Sequence, residues 1–97
     1  MKEFVTILGR PIIVRSIENE SGHHPEMVGY ASVRGRVIGV RADLTDDDRH
    51  ETILHEVVHF ISDMMQLELD ERTVSCLTTG LATAGCYPEV QTLEEEQ

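Results

Sequence analysis

The stretch from Asp46 to about Gln66 constrains the fold more than any other part of the chain. Its apolar residues recur with a helical period. Taking Val57 as reference, Ile53, Leu54, Phe60, Ile61, Met64 and Met65 project within about 100° of it. His55 and His59 project to the other side, beside Asp48, Glu51 and Ser62. The pattern predicts a long amphipathic helix that must lay its apolar stripe on a second layer. Thr45 is placed to cap its start, and Asp46, Asp47 and Asp48 fill the first turn, where the helix dipole favours negative charge. The aspartate run therefore reads as a solvated helix start and not as a ligand set.

The middle of this helix reads His55-Glu56-Val57-Val58-His59. Residues four apart share a helix face, so both imidazoles can reach one ion. Glu56 sits about 100° round from His55. There it can hold a water on the metal without being a ligand. Two histidines, a carboxylate and an open water position make the catalytic pattern of hydrolytic zinc sites. Zn²⁺ is the expected ion. The bland alternative is a polar helix face that carries two histidines by coincidence, in a metal-free acidic adaptor. A metzincin site is excluded by spacing, because it requires Gly three and His six residues after the second histidine. Those positions hold Ser62 and Met65.

A second helix should follow closely. Asp70 is a good N-cap, and Leu69 and Val74 stand at the spacing of a hydrophobic staple. Val74, Leu77 and Leu81 define the expected buried stripe, and Gly85 the stop. The short connection near Leu67 to Leu69 makes the two helices antiparallel neighbours. It can return Glu71, at the border of the packed face, to the histidine side. Asp63, one turn beyond His59, competes for the same role, with Glu68 and Asp70 also near.

The first forty residues look like sheet. Phe4 to Leu8 and Ile12 to Arg15 are β-branched and apolar, separated by Gly9-Arg10-Pro11. That suits a hairpin, with Pro11 confining its strand to an edge. Glu18 to Glu26, which contains His23 and His24, reads as a loop. Val28 to Val33 and Val37 to Val40 are further strands around Arg34-Gly35-Arg36, with Gly35 able to take positive φ.

At 97 residues and 40% hydrophobic content the chain supports one domain with one modest core. A net charge of −10 argues against a nucleic-acid partner. No run is long enough to span a membrane. The apolar run Phe4 to Leu8 is too short and polar for a signal peptide. Cys76 and Cys86 are not spaced as a metal pair, so free thiols in a reducing cytoplasm are expected. The acidic tail, residues 93–97, reads as disordered.

Over Glu51 to Leu81 the sequence resembles short zincin-like metallopeptidases of phages and mobile elements, related to ImmA/IrrE-type proteases. The residues that carry the resemblance are Thr52-Ile53-Leu54-His55-Glu56-Val57-Val58-His59, then Glu71, then Leu77-Thr78-Thr79-Gly80-Leu81. The resemblance implies a minimal gluzincin, with Glu71 as third ligand on the second helix. Thr78 departs from the family's small Ala, and the longer C-terminal part of larger relatives is missing.

The combined expectation is an α+β fold: a minimal zincin-like domain over residues 1–92, with a three- or four-stranded N-terminal sheet packed on two helices. His55, His59 and Glu71 would bind zinc. Glu56 would act as general base in hydrolysing a peptide or protein substrate. The strand Val37 to Arg41 would pair with extended substrate by edge addition. Tyr30, Tyr87, His50, His23 and His24 are the candidates to stabilise an oxyanion. The competing reading is a zincin-shaped binding module whose metal only holds the helices together.

Overall fold

The structure, a computed structural model, describes residues 2–17 and 28–93. The loop expected over Glu18 to Glu26, with His23 and His24, lies outside the described residues, as do residues 94–97 of the tail. The fold is α+β. In chain order the elements are β1 (Lys2–Ile7), β2 (Arg10–Ile17), β3 (Gly29–Ser32), β4 (Val37–Arg41), α1 (Asp46–Met64), α2 (Glu71–Thr83) and β5 (Gln91–Leu93). The strands form one mixed sheet in the order β3-β4-β2-β1-β5.

Four strands thus come from the first half of the chain, and a fifth joins from the C-terminal side. Leu93, expected in the tail, pairs with Lys2. β1 and β2 form a hairpin whose turn is Leu8-Gly9, at φ 50° and 79°. Two positive φ values match the twist of antiparallel strands, so the turn falls before Arg10 and Pro11 rather than on them.

β2 is not an edge strand. It pairs antiparallel with β1 and parallel with β4. Pro11 is tolerated because of where it falls in the strand. The Ile13 N–H donates toward the β4 side, to the Arg36 carbonyl at 3.1 Å. Pro11 faces the same side two residues earlier, before the first β4 partner, Val37. The missing donor therefore meets no strand. In the β3–β4 turn the left-handed residue is Arg36, at φ 52°, and not Gly35.

Alternation along the strands sends Val5, Ile7, Ile12, Val14, Ile38 and Val40 to one face, where they bury against Ile53, Val57 and Phe60 of α1. α1 also packs a second, smaller cluster: Leu54 and Val58 against Val74 of α2, with Leu69 and Ala82 at its margin. The order of layers is therefore sheet, α1, α2. Both helix starts form as their residues dictate. The Thr45 side chain accepts from the Asp48 N–H at 3.2 Å, and Asp70 from the Thr73 N–H at 2.8 Å. Hydrogen bonds from the Thr73 side chain and backbone hold the Asp70 carboxyl below its ordinary range.

The expected stripe on α2 is corrected. Val74 is fully buried, but Leu77 and Leu81 are 45% and 38% exposed, and the second buried residue is Thr78. Among the described residues α2 packs chiefly on α1, so it buries a narrow line of Val74 and Thr78 rather than a broad arc. The Thr78 hydroxyl is satisfied inside its own helix, donating to the Val74 carbonyl at 2.8 Å. Among the described residues no helix is long and apolar enough to cross a membrane.

Candidate metal centre and its cleft

α1 forms the floor of a cleft of about 710 Å³. One wall is the start of β3, at Val28 and Gly29. The other is α2, at Glu71, Ser75, Thr78 and Thr79. Gly29 lets that first wall close on the helix. A Cβ there would stand 2.9 Å from both the Gly39 carbonyl and the Thr52 methyl, and 3.2 Å from Cγ of Glu56. The strand thus lies directly against the side of α1 that carries Glu56.

The connection between the helices sets the position of Glu71. It turns through two left-handed residues, Gln66 and Glu68, at φ 54° and 55°. Ser62 pins it: its carbonyl accepts from the Leu67 N–H at 2.9 Å, and its hydroxyl from the Leu69 N–H at 3.1 Å. Ser62 is accordingly buried, and does not share the open histidine face on which the helical projection had put it.

With that connection fixed, three side chains converge. His55 Nε2 lies 2.7 Å from one oxygen of Glu71, and His59 Nε2 lies 2.8 Å from the other. One donor atom from each of the three falls within 4.8 Å of the others. The Glu71 side chain is 68% exposed, so it has room to adjust. Two imidazole nitrogens and one carboxylate are a donor set that suits zinc with a coordination position left open. The 2.7–2.8 Å separations are hydrogen-bond lengths. Donors around one tetrahedral zinc stand about 3.3 Å apart, given metal–ligand distances near 2.0–2.1 Å. The exposed Glu71 carboxylate has room to open its two separations toward that value. Among the described residues Asp63 does not join this group, and Asp70 is engaged as the α2 cap.

Glu56 is only 6% exposed, yet it lines the cleft. Among the described residues its carboxylate forms no hydrogen bond or ion pair. Burial pushes its pKa above the ordinary carboxylate value; His55 and His59 pull it back down, and Glu71 adds to the rise. The arrangement provides a poorly solvated proton acceptor beside a group able to hold a metal.

Of the residues named as oxyanion candidates, the three that are described, Tyr30, Tyr87 and His50, are not brought to the cleft. Gly39 lies between Ile38 and Val40, whose side chains face α1, so its own Cα face is the opposite one. A Cβ on Gly39 would run into the Tyr30 ring, which places Tyr30 on that outer face too. Tyr87 and His50 pair with each other at 6.2 Å, and neither lines the cleft. The cleft instead contains Asp48, Glu51 and Thr52, one to two turns before His55, and the hydroxyls of Ser75 and Thr79. Helical projection already put Asp48 and Glu51 on the histidine face. For Asp48, its place at a helix start made a solvated role the simpler reading.

No protein-family model, curated protein or solved structure matches the chain. The likeness of Glu51 to Leu81 to zincin-like peptidases therefore rests on its motif residues alone.

Proposed function

We propose that the protein is a zinc-dependent peptidase of minimal gluzincin type. The observation that supports this reading most is a single cleft that gathers His55, His59 and Glu71 next to the buried Glu56, which has no partner among the described residues. His55 and His59 would hold the ion through Nε2, as neutral imidazoles. Glu71 would complete the set and offset one positive charge. A zinc ion held there supplies a Lewis acid and brings the pKa of water toward neutrality. Glu56 takes the proton of the attacking water and passes it to the leaving amine.

Substrate would enter along β3 and not along β4. β4 is paired on both sides, by β3 and β2, so it has no free edge. β3 ends the sheet among the described residues, and Gly29 brings it against Glu56. An extended peptide added there runs past the proton acceptor. The net charge of −10 disfavours nucleic acid as a partner. The two exposed free cysteines, Cys76 and Cys86, fit the cytoplasm.

The test is elemental analysis after chelator-free purification, followed by digestion of a peptide library by the parent and by Glu56→Gln. The expected result is one zinc per chain in both proteins. Cleavage by the variant should fall on the order of 10²–10⁴-fold, the usual contribution of a general base. Failure of the parent to take up zinc would end the metal reading.

One observation favours the alternative of a binding module with a structural metal. α2 buries only Val74 and Thr78, so an ion could staple it to α1. A zinc-loaded parent that cleaves nothing in the library would decide for that alternative.

A further inference from the structure

The cleft extends beyond the three converging side chains. Along α1 it continues toward the helix start through Glu51 and Asp48, with Leu44 beside them. Four carboxylates line it in all: Asp48, Glu51, Glu56 and Glu71. None of the eight Lys and Arg residues does. Two arginines are committed elsewhere, Arg49 to Glu3 at 2.6 Å and Arg41 to Asp43 at 2.7 Å. Among the described residues the Asp48 and Glu51 carboxylates have no hydrogen-bond or ion-pair partner.

Two opposing charges must be weighed. A dication at the histidines would offset two of the four negative charges and leave two. The positive end of the α1 dipole, about half a charge, is outweighed by Asp46 and Asp47 alone. The cleft lining stays rich in carboxyl groups, and the buried Glu56 carries that lining inward from the rim.

We infer that the Asp48–Glu51 end of the cleft is a subsite for a cationic side chain, so that the substrate is a peptide carrying Lys or Arg near the bond cut. The aliphatic stem of either residue would lie on Leu44, with its charged head between Asp48 and Glu51. Glu51 and Asp48 stand about 6 and 10 Å before His55 along the helix, at 1.5 Å per residue. An extended peptide advances about 3.3 Å per residue. The basic residue therefore falls roughly two or three positions from the scissile bond. The inference rests on the peptidase reading for its role as a specificity site, but the binding it requires does not.

The test uses two short capped peptides, alike except for Lys in one and norleucine in the other. Each is titrated into the zinc-supplemented protein while backbone amide shifts are followed by NMR. An ion pair in an open cleft is worth on the order of tenfold in affinity. The Lys peptide should bind about tenfold more tightly, with shifts centred on Asp48, Glu51 and Thr52, and the difference should shrink as salt is raised. Glu51→Gln, a mid-helix change with little effect on folding, should reduce the ratio, and Asp48→Asn with Glu51→Gln should bring it close to one. Equal binding of the two peptides overturns the inference, as does a preference that survives both variants. Cleavage of both peptides at the same rate also overturns it and leaves the peptidase reading standing. A preference in binding with no cleavage of either peptide supports the subsite while removing the peptidase reading.

Discussion

Glu56 is held in a place that costs the fold stability. Its pKa is raised, chiefly by burial, above the ordinary 4.5. A group whose pKa is higher in the folded state contributes its stability below the unfolded value, and loses it as pH rises through the folded value. In metal-free protein near neutrality, ionising Glu56 therefore opposes folding. Glu56→Gln should raise the melting temperature of chelated protein at pH 7 and leave it unchanged well below pH 4.5. Thermal unfolding at the two pH values checks this; identical melting at pH 7 would show that the carboxylate is already relieved. Glu71 offers a second comparison. It contacts both histidines, whereas Asp63, one turn along α1 from His59, does not. Glu71→Ala should weaken zinc binding markedly, while Asp63→Ala should leave it near the parent value in a competition titration with a chromophoric chelator. The reverse order would make Asp63 the third ligand.

At the scale of elements, the helix starts were legible because capping is local chemistry: Thr45 and Asp70 each bind an N–H three residues on. The packing of α2 was not legible. Its leucines suggested a broad buried stripe, but how much of a helix is buried depends on how many neighbours it has. Val74→Ala should cost about 2 kcal/mol, as expected for a fully buried aliphatic side chain. Leu77→Ala, although it removes a larger group, should cost under about 1 kcal/mol because Leu77 is half exposed. Chemical denaturation of the two variants distinguishes these cases, and equal losses would mean that α2 packs on a second surface. β4 was misread for a related reason. Ile38, Gly39 and Val40 are all buried, which suits a strand paired on both sides, but its parallel pairing with β2 is long-range and leaves no local sign.

At the scale of the whole molecule, the segregation of strands before helices made the α+β class readable, and the motif made the floor of the cleft readable. The order of strands was not, because β5 is polar, exposed and only three residues long. Its place in the sheet has a consequence for how the chain comes together. The elements around the cleft, β3 to α2, span residues 29–83, whereas β5 closes on β1 across almost the whole sequence, at the sheet edge opposite β3. The half that carries the candidate site can therefore assemble without the last strand, and wherever β5 is not in place β1 stands as a bare pairing template. A chain ending at Val90 should take up zinc with the parent's stoichiometry, yet self-associate more readily in sedimentation experiments. The hazard lies in any state of the chain whose cleft is formed while one edge of its sheet stands open.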